Sequence, residues 1–195
     1  LGLSAAVFGK WVERSGPRRT LVVSCACFCG GLLLASLGVH LKSLALVLFG
    51  YGFVGGIGLG LGYIAPVSTL VKWFPDRPGM ATGMAIMGFG GGALIGSPLG
   101  QELMKYYQNS SNTGAAQALA TMAGLYTIFI LMAAITVRVP ADGWKPEGFV
   151  PGEQKSSMIT SARVAVDTAW RTPQFWLLWI VLCMNVSAGI GVLGR

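Results

Sequence analysis

The residues of this sequence that are best organised for chemistry form two short charged stretches. Residues 13–16 read ERSG and residues 76–79 read DRPG, so both follow the pattern acid-Arg-x-Gly. A carboxylate stabilises a helix N-terminus, an arginine pairs with the acid or with a helix C-terminus, and a glycine suits a tight turn. The repetition therefore predicts a pair of charge clamps at helix ends. The alternative is that these charges only anchor the chain at a membrane surface.

The sequence gives weaker evidence for a catalytic or metal-binding site than for the charge clamps. Cys25 and Cys29 can share one helix face, as a soft metal ion would require, but no His, Asp or Glu lies near them in the sequence. A buried cysteine packs as a small apolar residue, which is the preferred interpretation. The sequence contains one histidine, His40, and no nucleophile motif or phosphate-binding loop. We therefore predict that the protein is not an enzyme and holds no cofactor or metal.

The elements that must position the charged stretches are membrane helices. Of the 195 residues, 53% are hydrophobic and 11% are charged, whereas soluble domains carry about 25% charged residues. Five stretches lack a charged residue and have about the 20-residue length that a bilayer span needs. They are residues 20–39, 44–71, 79–101, 115–137 and 172–194, and residues 1–8 look like the end of a sixth. The sequence thus predicts an integral, multi-pass protein of a lipid membrane.

The positive charges indicate how these spans are oriented. Lys and Arg are concentrated in the connections 9–19, 72–78 and 138–171, whereas the other two connections contain one lysine each. Cytoplasmic connections carry an excess of Lys and Arg, so we predict these three on the cytoplasmic side. The net charge of +7 is divided among connections between apolar segments, which argues against nucleic acid as a partner.

Glycines in two of the spans recur every four residues, a spacing that allows two helices to approach closely. These are Gly52, Gly56 and Gly60 in one span and Gly88, Gly92 and Gly96 in the next. We expect either tight helix contacts or a seam along which helices move, and the two interpretations are compatible.

Residues 9–19, GKWVERSGPRR, resemble the signature loop of the major facilitator superfamily, Gly-x-x-x-Asp-Arg-x-Gly-x-Arg-Arg. The matching residues are Gly9, Arg14, Gly16, Arg18 and Arg19, and Glu13 stands where aspartate is usual, with the same charge. Within the superfamily, residues 60–99, 143–149 and 172–191 are similar to the oxalate:formate antiporter family, which is monocarboxylate transporter-like.

This resemblance implies an all-α membrane protein with part of the major facilitator superfamily fold. Residues 1–139 would form the N-terminal transmembrane bundle from the end of helix 2 to helix 6, without helix 1. Residues 140–171 would form the cytoplasmic central linker, and residues 172–195 would form helix 7. The C-terminal half of the same protein would be its partner.

The resemblance also implies a function. It is secondary active or facilitated transport of small carboxylates by alternating access, as in oxalate/formate exchange. One alternative is a facilitator of another small solute, such as lactate or pyruvate. A further alternative is a transporter-derived membrane receptor that binds without transport.

The resemblance gives the charged stretches the role of a gate on the cytoplasmic side. Glu13 would face a helix N-terminus of the second bundle while that side is closed. The gate residues of the signature loop are Gly9, Glu13, Arg14, Gly16, Arg18 and Arg19, and the second clamp consists of Asp76, Arg77 and Gly79.

A carboxylate held at mid-membrane needs hydrogen-bond donors in a cavity that fits it. The candidates for this substrate cavity are Tyr63, Met87, Phe89 and Asn185. Ordinary helix packing is the alternative role for each of them.

Overall fold

The computed structural model describes residues 2–109, 113–141, 143–144 and 171–193. Its helices, in chain order, are α1 (Gly2–His40), α2 (Leu44–Val47), a π-helix (Leu48–Gly55), α3 (Gly56–Trp73), α4 (Pro78–Tyr107), α5 (Ala115–Thr136) and α6 (Pro173–Leu193). No β-strand occurs in these ranges, and the all-α prediction is confirmed. The chain separates into two compact units, Leu1–Phe149 and Val150–Arg195, and α6 belongs to the second. Most of the linker predicted at residues 140–171 lies outside the described residues.

Helix α1 consists of two arms that join at Gly16. This residue has φ 76° and ψ 163°, whereas the residues on both sides are helical. That combination of angles is accessible essentially only to glycine, and the proline that follows suits the first turn of a new helix. The connection is therefore much shorter than the loop expected at residues 9–19, because residues 9–15 continue the first arm and residues 17–19 begin the second.

The two arms fold back on each other against α3. Ser4 in the first arm donates a hydrogen bond to the carbonyl oxygen of Gly56 at 3.3 Å, and Ser24 in the second arm donates to the carbonyl oxygen of Gly58 at 2.6 Å. These two carbonyl groups are neighbours on α3, whereas a straight helix would place the two serines about 30 Å apart. The arms are therefore antiparallel, and the bend at Gly16 lies at one end of the bundle.

An apolar cluster joins both arms to the rest of the bundle near this bend. Val12 of the first arm and Leu21 of the second arm are buried together with Leu61 and Ala65 of α3 and with Ala134 of α5. Because α3 and α5 both contribute, the bend end of the bundle is a packed unit of three elements.

The second span contains a π-helix that changes which faces its residues present. α2, the π-helix and α3 form one continuous helical span, Leu44–Trp73. A π-turn closes its hydrogen bond one residue later than an α-turn. Residues four apart therefore do not keep to one face across Leu48–Gly55, and a stripe extrapolated at α-helical spacing is broken there.

Close contacts between α1 and this second span include three glycines whose built Cβ atoms meet atoms that cannot turn aside. A Cβ atom built on Gly31 would lie 2.5 Å from the carbonyl oxygen of Gly50, and one built on Gly50 would lie 2.7 Å from the Cβ of Leu34. A Cβ on Gly58 would overlap backbone atoms of Phe28. We call Gly31, Gly50 and Gly58 the glycine seam.

The glycine stripe predicted for the second span does not coincide with the glycine seam. Gly52 has no neighbouring atom within 4 Å of a built Cβ, Gly60 is buried in α3, and Gly56 contributes its carbonyl oxygen to the Ser4 hydrogen bond. Gly52 is therefore not one of the positions at which the backbones of α1 and the second span approach closely, and a packing role for it stays a prediction.

Helix α4 packs loosely, with Ala81 as its one buried residue. Of its predicted stripe, Gly88 and Gly92 have open space around them, whereas a Cβ on Gly96 would lie 3.0 Å from the hydroxyl of Tyr126 in α5. Contacts of the first two glycines with another helix stay a prediction.

Among the described residues, four helices are long and apolar enough to cross a membrane: Ala6–His40, which is bent at Gly16, Leu44–Trp73, Pro78–Tyr107 and Ala115–Thr136. Their outer surfaces carry large apolar side chains, such as Leu94, which is 80% exposed, and Ile135, which is 73% exposed. Extensive apolar surface of this kind marks contact with lipid or with further protein rather than with water. The fifth predicted span corresponds to α6, which is helical over Pro173–Leu193.

Candidate functional site

The charged stretch around the Gly16 bend lies on the surface at one end of the bundle. Gly9 is part of the first helical arm and has open space around it, and Glu13 and Arg14 are exposed. Neither Glu13 nor Arg14 makes a hydrogen bond or ion pair with the rest of the described chain. Their side chains are therefore available to an element outside it, which is the arrangement that the gate prediction needs.

Arg18 instead binds the end of α5. Its Nε donates to the carbonyl oxygen of Val137 at 3.1 Å, and its Nη2 donates to the carbonyl oxygen of Ile135 at 3.3 Å. The last carbonyl groups of a helix lack partners within the helix and carry partial negative charge. A cationic donor at this point both satisfies them and stabilises the helix dipole.

A second donor reaches the same segment from α3. The indole nitrogen of Trp73 donates to the carbonyl oxygen of Arg138 at 2.9 Å, and its ring meets the ring of Trp144 edge-on at a centroid distance of 5.1 Å. Hydrogen bonds from Arg18 and Trp73 therefore hold the backbone in place where the chain leaves α5. The sequence motif included Arg18 but did not identify its partner, and nothing in the local pattern singled out Trp73.

The second charged stretch has a different arrangement. Asp76 lies beside its own neighbour, with 3.6 Å between its Oδ2 and the Nε of Arg77, whose side chain is 72% exposed. Pro78 begins α4 and Gly79 follows in its first turn with open space around it. The carboxylate therefore lies just before a helix N-terminus, where negative charge is favourable. A gating role for this stretch stays a prediction.

A cavity of about 270 Å³ lies among α1, α3, α4 and α5. Tyr63 and Phe89 both line it, and their rings meet edge-on at a centroid distance of 5.5 Å. The phenol of Tyr63 makes no hydrogen bond within the described part of the chain. The structure thus brings these two predicted cavity residues together beside an available donor.

The other two cavity candidates are not part of this cavity. Met87 is 72% exposed and does not line it. Asn185 belongs to α6 in the second compact unit, and its side chain lies outside the described residues. A substrate role for each stays a prediction.

The two cysteines considered as metal ligands are buried in α1. The sulfur atoms of Cys25 and Cys29 are 4.0 Å apart, and both residues pack in an apolar cluster with Leu32 and Ala123. No group of three or more His, Cys, Asp or Glu side chains suited to a metal ion occurs among the residues with described positions. The pair is accounted for by packing between α1 and α5.

Comparison with known proteins agrees with the sequence resemblance. The family model described as Major Facilitator Superfamily matches residues 1–194. The apicoplast pyruvate carrier 1 of Toxoplasma gondii is 27% identical over 218 residues, covering 87% of this chain and 39% of the carrier. The oxalate:formate antiporter of Oxalobacter formigenes is 28% identical over 172 residues, covering 88% of this chain and 37% of the antiporter.

A third relative, monocarboxylate transporter 9 of Rattus norvegicus, is 33% identical over 105 residues, covering 54% of this chain and 20% of the transporter. The chain therefore spans less than half the length of each of these relatives. The described residues contain four apolar helices long enough to cross a membrane, the signature segment bends at Gly16, and the family model matches nearly every residue. This chain is therefore an integral, multi-pass membrane protein of the major facilitator superfamily.

Proposed function

We propose that this chain is part of a transporter that moves small carboxylates across a membrane by alternating access. The observation that carries the proposal is the shared chemistry in the names of three relatives, which refer to pyruvate, to oxalate and formate, and to monocarboxylates. All of these are small organic anions. The division into a bundle at residues 1–139, a linker at 140–171 and helix 7 at 172–195 is part of the same proposal.

The charges of the bundle support an anionic substrate. The spans Leu44–Trp73 and Ala115–Thr136 contain no Asp or Glu, and the acid of Pro78–Tyr107, Glu102, is exposed and paired with Lys105 at 2.8 Å. A buried carboxylate would repel an anion and would be a typical proton relay. Its absence from these spans favours exchange or facilitated flux of an anion.

The test is counterflow of radiolabelled oxalate, formate, lactate and pyruvate in vesicles that contain the complete protein. Exchange of oxalate with formate supports the antiporter proposal, whereas uptake restricted to lactate and pyruvate supports the alternative facilitator. The pyruvate carrier among the relatives gives that alternative its own support. Saturable binding without flux of any of the four anions would contradict transport and favour a receptor.

Glu13→Gln is expected to slow counterflow about fivefold, because a charge at a helix N-terminus contributes about 1 kcal/mol. The substrate affinity is expected to change by a smaller factor than the counterflow rate. The exposed Glu13 carboxylate is available to a helix N-terminus outside the described chain. Transport rate and substrate affinity are measured separately, from initial counterflow rates and from equilibrium binding.

The matched control for this prediction is Glu102→Gln, which makes the same change in α4 at an exposed ion pair with Lys105. This control is expected to retain the normal rate. Normal flux combined with altered affinity in Glu13→Gln would contradict the gating role.

Tyr63→Phe is expected to weaken substrate binding by roughly tenfold to a hundredfold, because a hydrogen bond to a charged group contributes about 1.5–3 kcal/mol. The substitution removes the free phenol and keeps the ring that meets Phe89. Binding of the transported anion is measured by equilibrium titration. The control is Tyr126→Phe, because Tyr126 does not line this cavity, and equal affinities in all three proteins would rule out Tyr63 as a substrate donor.

A further inference from the structure

The bend of α1 and the end of α5 enclose an open groove that shares Gly16, Arg18 and Arg19 with the predicted gate but has no lining residue in common with the substrate cavity. The groove has a volume of about 630 Å³, and its polar lining residues are Ser15, Arg18, Arg19 and Arg138. No acidic residue lines it within the described part of the chain. Three guanidinium groups are therefore concentrated where two membrane spans end.

Arg18 is held in a fixed orientation by its bonds to α5. Its Nε and Nη2 donate to the carbonyl oxygens of Val137 and Ile135. A guanidinium has five N–H donors in a rigid fork, so three N–H groups of Arg18 remain for a ligand. Because this side chain is already ordered, a ligand bound by it costs little additional conformational entropy.

The other polar groups of the groove are available as well. Arg19 and Arg138 have exposed side chains without an ion pair to a described residue, and the hydroxyl of Ser15 has no hydrogen bond there. Several arginine forks with a hydroxyl form a donor set that suits the tetrahedral oxygens of a phosphate group.

Apolar surface continues from this groove along both spans. Val22 and Val23 follow the groove arginines on α1 and are 49% and 38% exposed, and Met132 and Ile135 on α5 are exposed by more than half. A ligand with a phosphate in the groove can therefore place hydrocarbon chains on these surfaces. A free phosphate would leave them unused, so the apolar surface favours a lipid.

We propose that the groove lined by Arg18, Arg19 and Arg138 binds the phosphate of an anionic phospholipid headgroup, with the acyl chains lying along α1 and α5. Basic pockets between membrane helices are suited to anionic headgroups, and each Lys or Arg near an anionic surface contributes about 1 kcal/mol. The proposal is independent of the transported substrate, because it rests on the groove and on the membrane location of the chain.

The experiment titrates the complete protein in detergent with dioleoylphosphatidylglycerol and counts bound lipids by native mass spectrometry. Arg19→Gln and Arg138→Gln are each expected to weaken binding about fivefold, as the loss of one positive charge predicts. The matched control is Arg77→Gln, which removes an exposed arginine at another helix end that does not line the groove. This control is expected to retain the affinity of the unaltered protein.

Two results would overturn the proposal: equal weakening in Arg77→Gln, which would indicate unspecific attraction, and unchanged binding in both groove variants. Displacement of the lipid by glycerol 3-phosphate at equal concentration would also overturn it, because the groove would then take a free phosphate ester. Arg19→Lys and Arg138→Lys keep the positive charge, so they are expected to retain most of the binding. Equal melting temperatures of the Gln and Lys variants show that lost binding does not come from unfolding.

Discussion

Gly58→Ala is expected to lower the melting temperature of the protein in detergent by several degrees. The added methyl group would overlap backbone atoms of Phe28 and Ser24 across the glycine seam. Backbone atoms cannot turn aside as the end of a flexible side chain can, and overpacking of this kind costs about 1–3 kcal/mol. The hydrogen bond from Ser24 to the carbonyl oxygen of Gly58 would be strained by the same displacement. The measurement is thermal unfolding of the purified protein.

The control for this substitution is Gly52→Ala in the same span. A Cβ at Gly52 meets no atom within 4 Å, so the melting temperature of this variant is expected to be unchanged. A larger loss in Gly52→Ala than in Gly58→Ala would mean that the stripe predicted from the sequence, rather than the glycine seam, forms the packing interface.

Gly16→Ala is expected to destabilise the protein through the backbone alone. A Cβ at Gly16 has open space around it, but its φ of 76° with ψ of 163° is a conformation that residues with a side chain rarely adopt. Holding alanine there costs about 1–3 kcal/mol. Relief of this strain would move the second arm and Arg18, so we expect a lower melting temperature and a weaker hold on the end of α5.

Gly9→Ala makes the same substitution in the signature motif at a position with ordinary helical backbone angles. Gly9 is helical and also has open space around it, and alanine is favoured over glycine in a helix by about 1 kcal/mol. The melting temperature of the Gly9→Ala variant is expected to equal that of the unaltered protein or to be slightly higher. If both alanine variants melted at the same temperature, the bend at Gly16 would not be a point of backbone strain.

The helical spans were predictable because the bilayer constrains them strongly. A span must be apolar and about 20 residues long, and the predicted stretches 20–39, 44–71 and 79–101 lie inside helices of the structure, and 115–137 extends one residue beyond α5. The bend was harder to place, since a charged segment between two apolar ones resembles a loop. Gly16 and Pro17 allow one helix to end and the next to begin with a single non-helical residue.

The register of the glycine seam could not be predicted from spacing. Glycines occur at several positions of the second span, so more than one four-residue stripe can be drawn through it. The π-helix at Leu48–Gly55 then rotates the residues before it relative to those after it. Only the three-dimensional contacts show that Gly50 and Gly58, rather than Gly52, meet α1 closely.

The candidate site was predictable where it depended on residue type and not where it depended on long-range partners. The pairing of Tyr63 with Phe89 joins two residues chosen from the sequence. By contrast, the hydrogen bonds from Arg18 to α5 span 117 and 119 residues of chain. A local charge pattern identifies the donor in such a pair but contains no information on which distant carbonyl group accepts.

The fold-back of α1 also bears on how the chain enters the bilayer. Its arms are joined by one non-helical residue, and their serines donate to the carbonyl oxygens of Gly56 and Gly58, which lie within one turn of α3. A connection this short keeps the two arms side by side, so we expect them to insert as a helical hairpin. Its tip carries Arg14, Arg18 and Arg19, whose charges resist translocation and keep that tip on the side of the membrane from which the hairpin inserts.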